Sequence, residues 1–435
     1  MNPLYNAAIK LYAGAVRVAS LSSVKARTML KGQSETLQRL ADFRRDYAPD
    51  GFDVWFHAAS LGEFEQARPL IDRLKAENPD TKILVSFFSP SGYTVRCNYP
   101  GVAVVYLPFD SPSAVKSFLD LAKPRKAIFV KYEFWGNFLN ELKRRGTDTY
   151  IISAIFRPGQ LFFRKTGGSL FRSLLDKFDH LYVQDERSRL LLEGIGIKNV
   201  TVAGDTRFDR VTEIRANARE LPEIDCFMAS RPQTFTLVAG SSWPKDEEVY
   251  FGWLKAHGEV RALIAPHEFD TNRLCILRKS LGNKESMLLS DFKRVYADSP
   301  ERAKEHAKSL RYLIIDCFGL LSSLYRYADA AYVGGGFGVS IHNINEAAVY
   351  GIPVVFGPRH KKFNEATDLI ECGAAFCAHS KDETSQILDK LLTDSDFRKN
   401  AGTAADKYIR SNIGASDIIL KDLFNIKQKH TPLND

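Results

Sequence analysis

The sequence predicts an α/β protein built as two Rossmann-like domains that face each other across a ligand cleft. Three observations carry that expectation. The chain has 435 residues, enough for two or three domains with a core apiece. Short apolar runs alternate with amphipathic stretches over nearly its whole length. The alternation stops once, in a polar, irregular stretch from about Asp209 to Pro232, and then restarts.

The elements follow in order. Leu4, Tyr5, Ala8, Leu11, Tyr12, Ala15, Val16 and Ala19 recur at helical spacing and give one apolar face. Residues 1–34 also carry Lys10, Arg17, Lys25, Arg27 and Lys31 and no acidic side chain. A signal peptide would need a denser apolar run and a cleavage site. Two readings stand: a helix packed on its own domain, or a basic amphipathic helix lying on an anionic bilayer.

From residue 54 the apolar runs are V-W-F-H-A-A at 54–59, K-I-L-V-S-F-F at 82–88, V-A-V-V-Y-L-P at 102–108 and K-A-I-F-V-K at 126–131. T-Y-I-I-S at 149–153, H-L-Y-V-Q at 180–184 and N-V-T-V-A-G at 199–204 complete the first half. Continuous apolar runs of this length read as strands of a parallel sheet buried on both faces. Ser111 before Pro112 is a capping residue ahead of a proline at the first helical position. The second half repeats the pattern: T-F-T-L-V-A-G at 234–240, V-R-A-L-I-A-P at 260–266, Y-L-I-I-D at 312–316, A-A-Y-V-G-G at 330–335, P-V-V-F-G at 353–357 and A-A-F-C-A at 374–378. In such a fold the ligand sits at the carboxyl ends of the strands.

Composition narrows the function. The net charge of +8 favours anionic ligands or surfaces but is not gathered into a stripe, so nucleic acid is not expected as a partner. The cysteines at 97, 226, 275, 317, 372 and 377 contain no C-x-x-C, and neither a disulfide framework nor a zinc site is expected. No run reaches 18 apolar residues. G-x-x-x-x-G-K-[ST] is absent, and neither half has G-x-G-x-x-G after its first strand, which disfavours P-loop and nicotinamide chemistry.

The richest glycine segment is V-G-G-G-F-G at 333–338, between a strand and H-N-I-N-E at 342–346, which opens a helix. It is either a tight turn or a place where a phosphate approaches the backbone. His267 in A-P-H and the helix start at D-C-F-G (316–319) lie at further strand ends. Chemistry is expected in the first half. Glu63 in H-A-A-S-L-G-E, three residues after Ser60, is either the partner in a capping box or a general base at the cleft. Glu133 in K-Y-E-F-W-G-N ends a buried strand, where an acid is costly unless it is paired or functional. Arg207 in G-D-T-R-F-D either reaches an anion or bridges to Asp205 or Asp209.

Taken together these segments resemble the 3-deoxy-D-manno-octulosonic acid (Kdo) transferases of lipopolysaccharide synthesis. H-A-A-S-L-G-E, S-F-F-S-P-S-G-Y at 86–93, Y-L-P-F-D at 106–110, E-F-W-G-N at 133–137 and G-D-T-R-F-D at 204–209 carry the likeness in the first half. A-G-S-S-W at 239–243, A-P-H-E at 265–268, D-C-F-G-L-L at 316–321, V-G-G-G-F at 333–337, H-N-I-N-E-A-A at 342–348 and G-I-P-V-V-F-G-P at 351–358 carry it in the second. The resemblance implies a GT-B fold with the active site in the interdomain cleft. It divides the chain into a membrane-associated helix and linker (1–34), an acceptor-side domain (35–215) and a CMP-Kdo-binding domain with carboxyl-terminal helices (216–435). It implies inverting transfer of Kdo from CMP-Kdo to a hydroxyl of the lipid A precursor, with no metal and no cofactor. The site would be the cytoplasmic face of the inner membrane, reached peripherally or monotopically through the first helix.

By the same resemblance Glu63 is the base, Glu133 supports the transition state, and Arg207 stands where the family has lysine. CMP-Kdo contacts fall on Pro266 and His267, on Phe318, Gly319 and Leu320, and on Asn343, Ile344, Asn345 and Glu346. The sequence departs from the family pattern at Gly136, where proline is usual, at A-P-H-E, where His267 replaces an arginine, and at H-N-I-N-E. The alternatives are another GT-B nucleotide-sugar transferase or epimerase, and a non-catalytic nucleotide- or lipopolysaccharide-binding protein in which Glu63 only caps its helix.

Overall fold

Val54, Trp55 and Phe56 of β1 (Val54–His57) are apolar on both sides because both faces of their sheet are covered by helices. Alternation sends Trp55, Leu84 and Phe129 to one core layer and Val54, Phe56, Val85 and Ile128 to the other. This computed structural model describes residues 3–164 and 168–426. The first sheet comprises β1, β2 (Ile83–Phe87), β3 (Ala103–Tyr106), β4 (Lys126–Val130), β5 (Asp148–Ala154), β6 (His180–Val183) and β7 (Val200–Val202). All pairings are parallel, in the order β3-β2-β1-β4-β5-β6-β7.

The second sheet comprises β8 (Thr236–Ser242), β9 (Arg261–Pro266), β10 (Ser286–Leu288), β11 (Tyr312–Ile314), β12 (Ala330–Val333), β13 (Val354–Phe356) and β14 (Ala375–Cys377). It is also parallel, ordered β10-β11-β9-β8-β12-β13-β14. Both orders are those of a doubly wound Rossmann-like sheet, as the alternation predicts. Every expected apolar run becomes a strand. The edge strand β10 was not expected, because three residues in E-S-M-L-L-S carry no apolar run of useful length.

Up to β5 the first unit contains the helices α1 (Pro3–Ala19), α2 (Val24–Asp46), α3 (Leu61–Glu77), α4 (Pro90–Arg96), α5 (Pro112–Ala122) and α6 (Gly136–Arg145). Ser111 is the N-cap of α5 and Pro112 its first residue. The amino-terminal segment is two helices, broken at 20–23, where Ser23 caps α2 by accepting from Ala26 N–H at 3.3 Å. Because α2 runs to Asp46, residue 34 is no boundary.

Two further expectations are corrected. The stretch 209–232 is not irregular: helices Thr206–Ala216 and Pro222–Ala229 occupy much of it. Nor do residues 216–435 form one domain. The first unit runs to Arg210 and resumes at Ile413, and the second is Val211–Asn412. The last helix, Ala415–Phe424, buries Ile419, Leu420 and Leu423 with Phe64 and Ile71 of α3. Asp209 accepts from the N–H groups of Gly414 and Ser416 at 2.6 Å each, and Asp417 pairs with Arg73. Periodicity shows that such a helix is amphipathic but not which core it covers.

Candidate active site

In the first sheet the chain leaves β1 toward β2 and β3, then returns to the opposite side of β1 as β4. The loops after β1 and β4 therefore diverge, and a crevice opens at their carboxyl ends. The loop after β1 enters α3, with Glu63 in its first turn. The loop after β4 carries Glu133. Lys131, at the head of that loop, holds φ of 68°, a left-handed conformation rare for a side-chain-bearing residue and frequent at functional sites.

His57, the last residue of β1, joins the two loops. It is fully buried, with Nε2 3.1 Å from Glu133 Oε2 and Nδ1 2.9 Å from Ser86 Oγ. Ser86 Oγ accepts from the Trp55 indole at 2.8 Å. Nδ1 also lies 3.1 Å from the Ser86 carbonyl oxygen, so each ring nitrogen that carries a proton has an acceptor within reach. The Trp135 indole N–H donates to the same Glu133 oxygen at 2.5 Å. Both His57 and Trp135 lie inside the motifs H-A-A-S-L-G-E and E-F-W-G-N, which do not by themselves mark either as functional.

Glu63 serves its helix and its neighbours at once. Its Oε2 accepts from Ser60 N–H at 3.1 Å, so the capping box is formed. Burial, and secondly the charge of Glu133, push its carboxyl up to about 7, while His57 and the N–H groups of Ala59 and Ser60 pull it down. A carboxylate that holds and releases a proton near neutrality is suited to general-base work.

Arg207 takes the bridging alternative. Its Nε and second terminal nitrogen lie 2.8 and 2.7 Å from Asp205 Oδ2, and its backbone N–H donates to Asp205 Oδ1 at 3.0 Å. Gln66 also donates to Asp205 at 3.0 Å. The charges of Arg157 and Arg207 reach Tyr132, the neighbour of Glu133. Arg207 thus belongs to this region with its fork already oriented.

The second unit has the same kind of crevice after β8 and β12. Ser241, one residue before the end of β8, holds φ of 50°, and Trp243 follows the strand. Buried Asp246 accepts from the N–H of Trp243 at 3.0 Å and of Gly335 at 2.8 Å, tying the two loops together. Gly335 has φ of 94°, and a Cβ on Gly336 would lie 2.5 Å from Gly357 N. Close packing of the loop on its own neighbours therefore accounts for these glycines.

His267 follows Pro266 at the end of β9 and stacks between Trp243 (4.5 Å) and His342 (4.4 Å). The Trp243 indole donates to His342 Nε2 at 3.1 Å. Burial, and then the charge of His267, push His342 down to about 4. Phe318 is 80% exposed and stacks on Phe269 at 4.6 Å, beside Gly319 and the buried Leu320. Asn343 donates to Glu346 at 3.1 Å, and Ile344 is buried. Asn345 is fully buried, and its side-chain nitrogen and oxygen find no hydrogen-bond partner among the described residues. The helices expected after D-C-F-G and H-N-I-N-E are single turns, Leu321–Leu324 and Asn345–Ala348, too short to present much of a dipole.

Residues 24–210 match the family model described as 3-Deoxy-D-manno-octulosonic-acid transferase (kdotransferase). The chain is similar to the 3-deoxy-D-manno-octulosonic acid transferase of Chlamydia muridarum, 28% identical over 81% of this chain and 83% of that one. The Bordetella pertussis protein of the same name is 27% identical over 85% and 86% of the two chains. The chain is similar to Kdo transferases over most of its length, and to their family model over 24–210. The matched segment contains Glu63, Glu133 and Arg207. Among solved structures, the UDP-GlcNAc 2-epimerase from Neisseria meningitidis covers 86% of this chain and all of its own at TM-score 0.58 and 15% identity. That likeness is one of fold, and it agrees with the GT-B architecture expected of a Kdo transferase.

Proposed function

We propose that the chain transfers Kdo from CMP-Kdo to a hydroxyl of the lipid A precursor, with inversion and without a metal. The observation that carries this reading is Glu63, a half-buried carboxyl held near neutrality at the switch point of the first sheet. A sugar hydroxyl is a poor nucleophile at pH 7, and Glu63 accepts its proton as it attacks the anomeric carbon. Glu133, fixed by His57 and Trp135, offers negative charge to the oxocarbenium character that develops. Arg207, oriented by Asp205, balances the departing phosphate.

In this reading the second unit holds the donor. The support is the ring stack of Trp243, His267 and His342, the exposed Phe269–Phe318 pair and the unpartnered Asn345 side chain. The same reading places α1 on the cytoplasmic face of the inner membrane. Its outward face shows Leu4, Leu11 and Val18 at 76%, 75% and 69% exposure, beside Lys10 and Arg17. No helix among the described residues is long and apolar enough to cross a bilayer.

The test is incubation with CMP-Kdo and a Kdo-free lipid A precursor, with product mass read by mass spectrometry. A product heavier by Kdo supports the proposal. No product, together with binding of UDP in preference to CMP, would turn it toward the epimerases of the same fold.

A further inference from the structure

The first helix and the Glu133 loop lie 128 positions apart in sequence, counting from Tyr5 to Glu133, yet they are joined by a continuous set of contacts. Asp110, at the end of Y-L-P-F-D, is fully buried and caps α6: its carboxylate accepts from Asn137 N–H and Phe138 N–H at 2.9 Å each. The Tyr5 hydroxyl donates to Asp110 Oδ2 at 2.6 Å and accepts from Gly136 N–H at 3.0 Å. Asn6 accepts from the Asn137 side chain at 2.8 Å. Every N–H of the first three residues of α6 is thereby met by Asp110 or Tyr5.

That helix start is also the end of the Glu133 loop. Trp135 is the N-cap of α6, and its indole donates to Glu133. A second route runs through rings: Tyr12 of α1 stacks on Phe88 at 6.3 Å, and Phe88 lies 4.8 Å from Trp135. Two separate sets of contacts from α1 therefore reach Trp135, whose indole donates to Glu133, and its neighbour Gly136.

We propose that Tyr5, seconded by Tyr12, is a positioning residue for Glu133, so that α1 seats the catalytic loop as well as offering an outer face to lipid. The proposal rests on the reading of Glu133 given above. Its physical basis is that α6 can begin where it does only if its first N–H groups are satisfied, and Tyr5 supplies the acceptor for Gly136 that Asp110 does not. Loss of that acceptor frees the first turn and lets Trp135 release the Glu133 carboxylate.

The test uses the full chain with Tyr5→Phe, which removes one oxygen atom. Three quantities are read: amide hydrogen exchange at 136–138, turnover, and the acid limb of the pH–rate profile. The groups facing Glu63 are Glu133 and His57. A displaced Glu133 repels Glu63 less, so the acid limb moves to lower pH. We expect faster exchange, turnover reduced about tenfold with KM for CMP-Kdo unchanged, and that shift of the limb. Unchanged exchange, or faster exchange with turnover and pH profile both unmoved, overturns the proposal. If Tyr5→Phe does not fold, Tyr12→Leu is judged by the same three readings. An inactive wild-type enzyme would instead sink the transferase reading, while hydrogen exchange still judges the Tyr5 contact.

Discussion

Nε2 of His57 lies 3.1 Å from Oε2 of Glu133, and this contact ties the end of β1 to the loop after β4. The ring is fully buried, so it fixes Glu133 without exchanging its contact for water. Glu63 feels both partners, the carboxylate raising it and the imidazole lowering it. Burial, the largest cause, and these two neighbours together set the proton affinity of Glu63.

Replacing Glu63 by glutamine keeps a side-chain oxygen for the Ser60 N–H and removes the proposed base. Turnover should fall by on the order of 10² or more, with fold and CMP binding retained. Steady-state rates beside a circular dichroism melt check this. Near-normal turnover would leave Glu63 as a helix cap alone.

The same carboxyl predicts a pH dependence. The proposed base works only when ionised, so kcat should rise with pH through about 7 and level above it. Stability runs the other way. A carboxyl whose folded pKa is raised from 4.5 to about 7 contributes stability below its unfolded value, and that contribution is lost as pH climbs between the two. Glu63→Gln should therefore melt higher than wild type at pH 8 and at the same temperature at pH 4. Equal melting points at both pH values would show that Glu63 is not strained by burial.

Arg207 holds Asp205, whose carboxyl the guanidinium keeps below its usual range although burial acts against it. Arg207→Ala should cut turnover sharply and cost on the order of 3 kcal/mol of stability, because it strands a buried carboxylate. Arg207→Lys should retain much of the activity. Equal loss in both variants, tracked by denaturant titration, would make the planar fork structural.

The outward face of α1 can be tested without touching its inward one. Leu4→Ser, Leu11→Ser and Val18→Ser together should release the protein from anionic vesicles, with the melting temperature retained, in a flotation assay. Each nearby Lys or Arg contributes roughly 1 kcal/mol, so rising salt should weaken what remains. Deleting residues 1–20 is a poorer probe, since it also removes Tyr5 and Tyr12. Undiminished flotation of the triple variant would end the membrane role of this face.

Most strands were legible because a parallel strand covered on both faces is mainly apolar, as V-W-F in β1 is. The strand β10 was not, since an edge strand of three residues needs no such run. Helices within 209–232 were missed because their polar faces hide the period. The capping box of Glu63 was visible in S-x-x-E, and so were both alternatives for Arg207. The structure keeps the cap and adds a proton affinity to it, and it gives Arg207 to Asp205.

By itself the sequence determined the α/β class, the two sheets and the segments that carry the site, because local period and turn chemistry are written residue by residue. Only the tertiary structure decided which of those segments meet. It put His57 between Ser86 and Glu133, returned the last helix to the first unit, and set Tyr5 against Asp110 and Gly136. The physical reason is that a parallel sheet orders its strands by packing and not by sequence. Side chains distant in the chain share one crevice only once β4 has paired with β1.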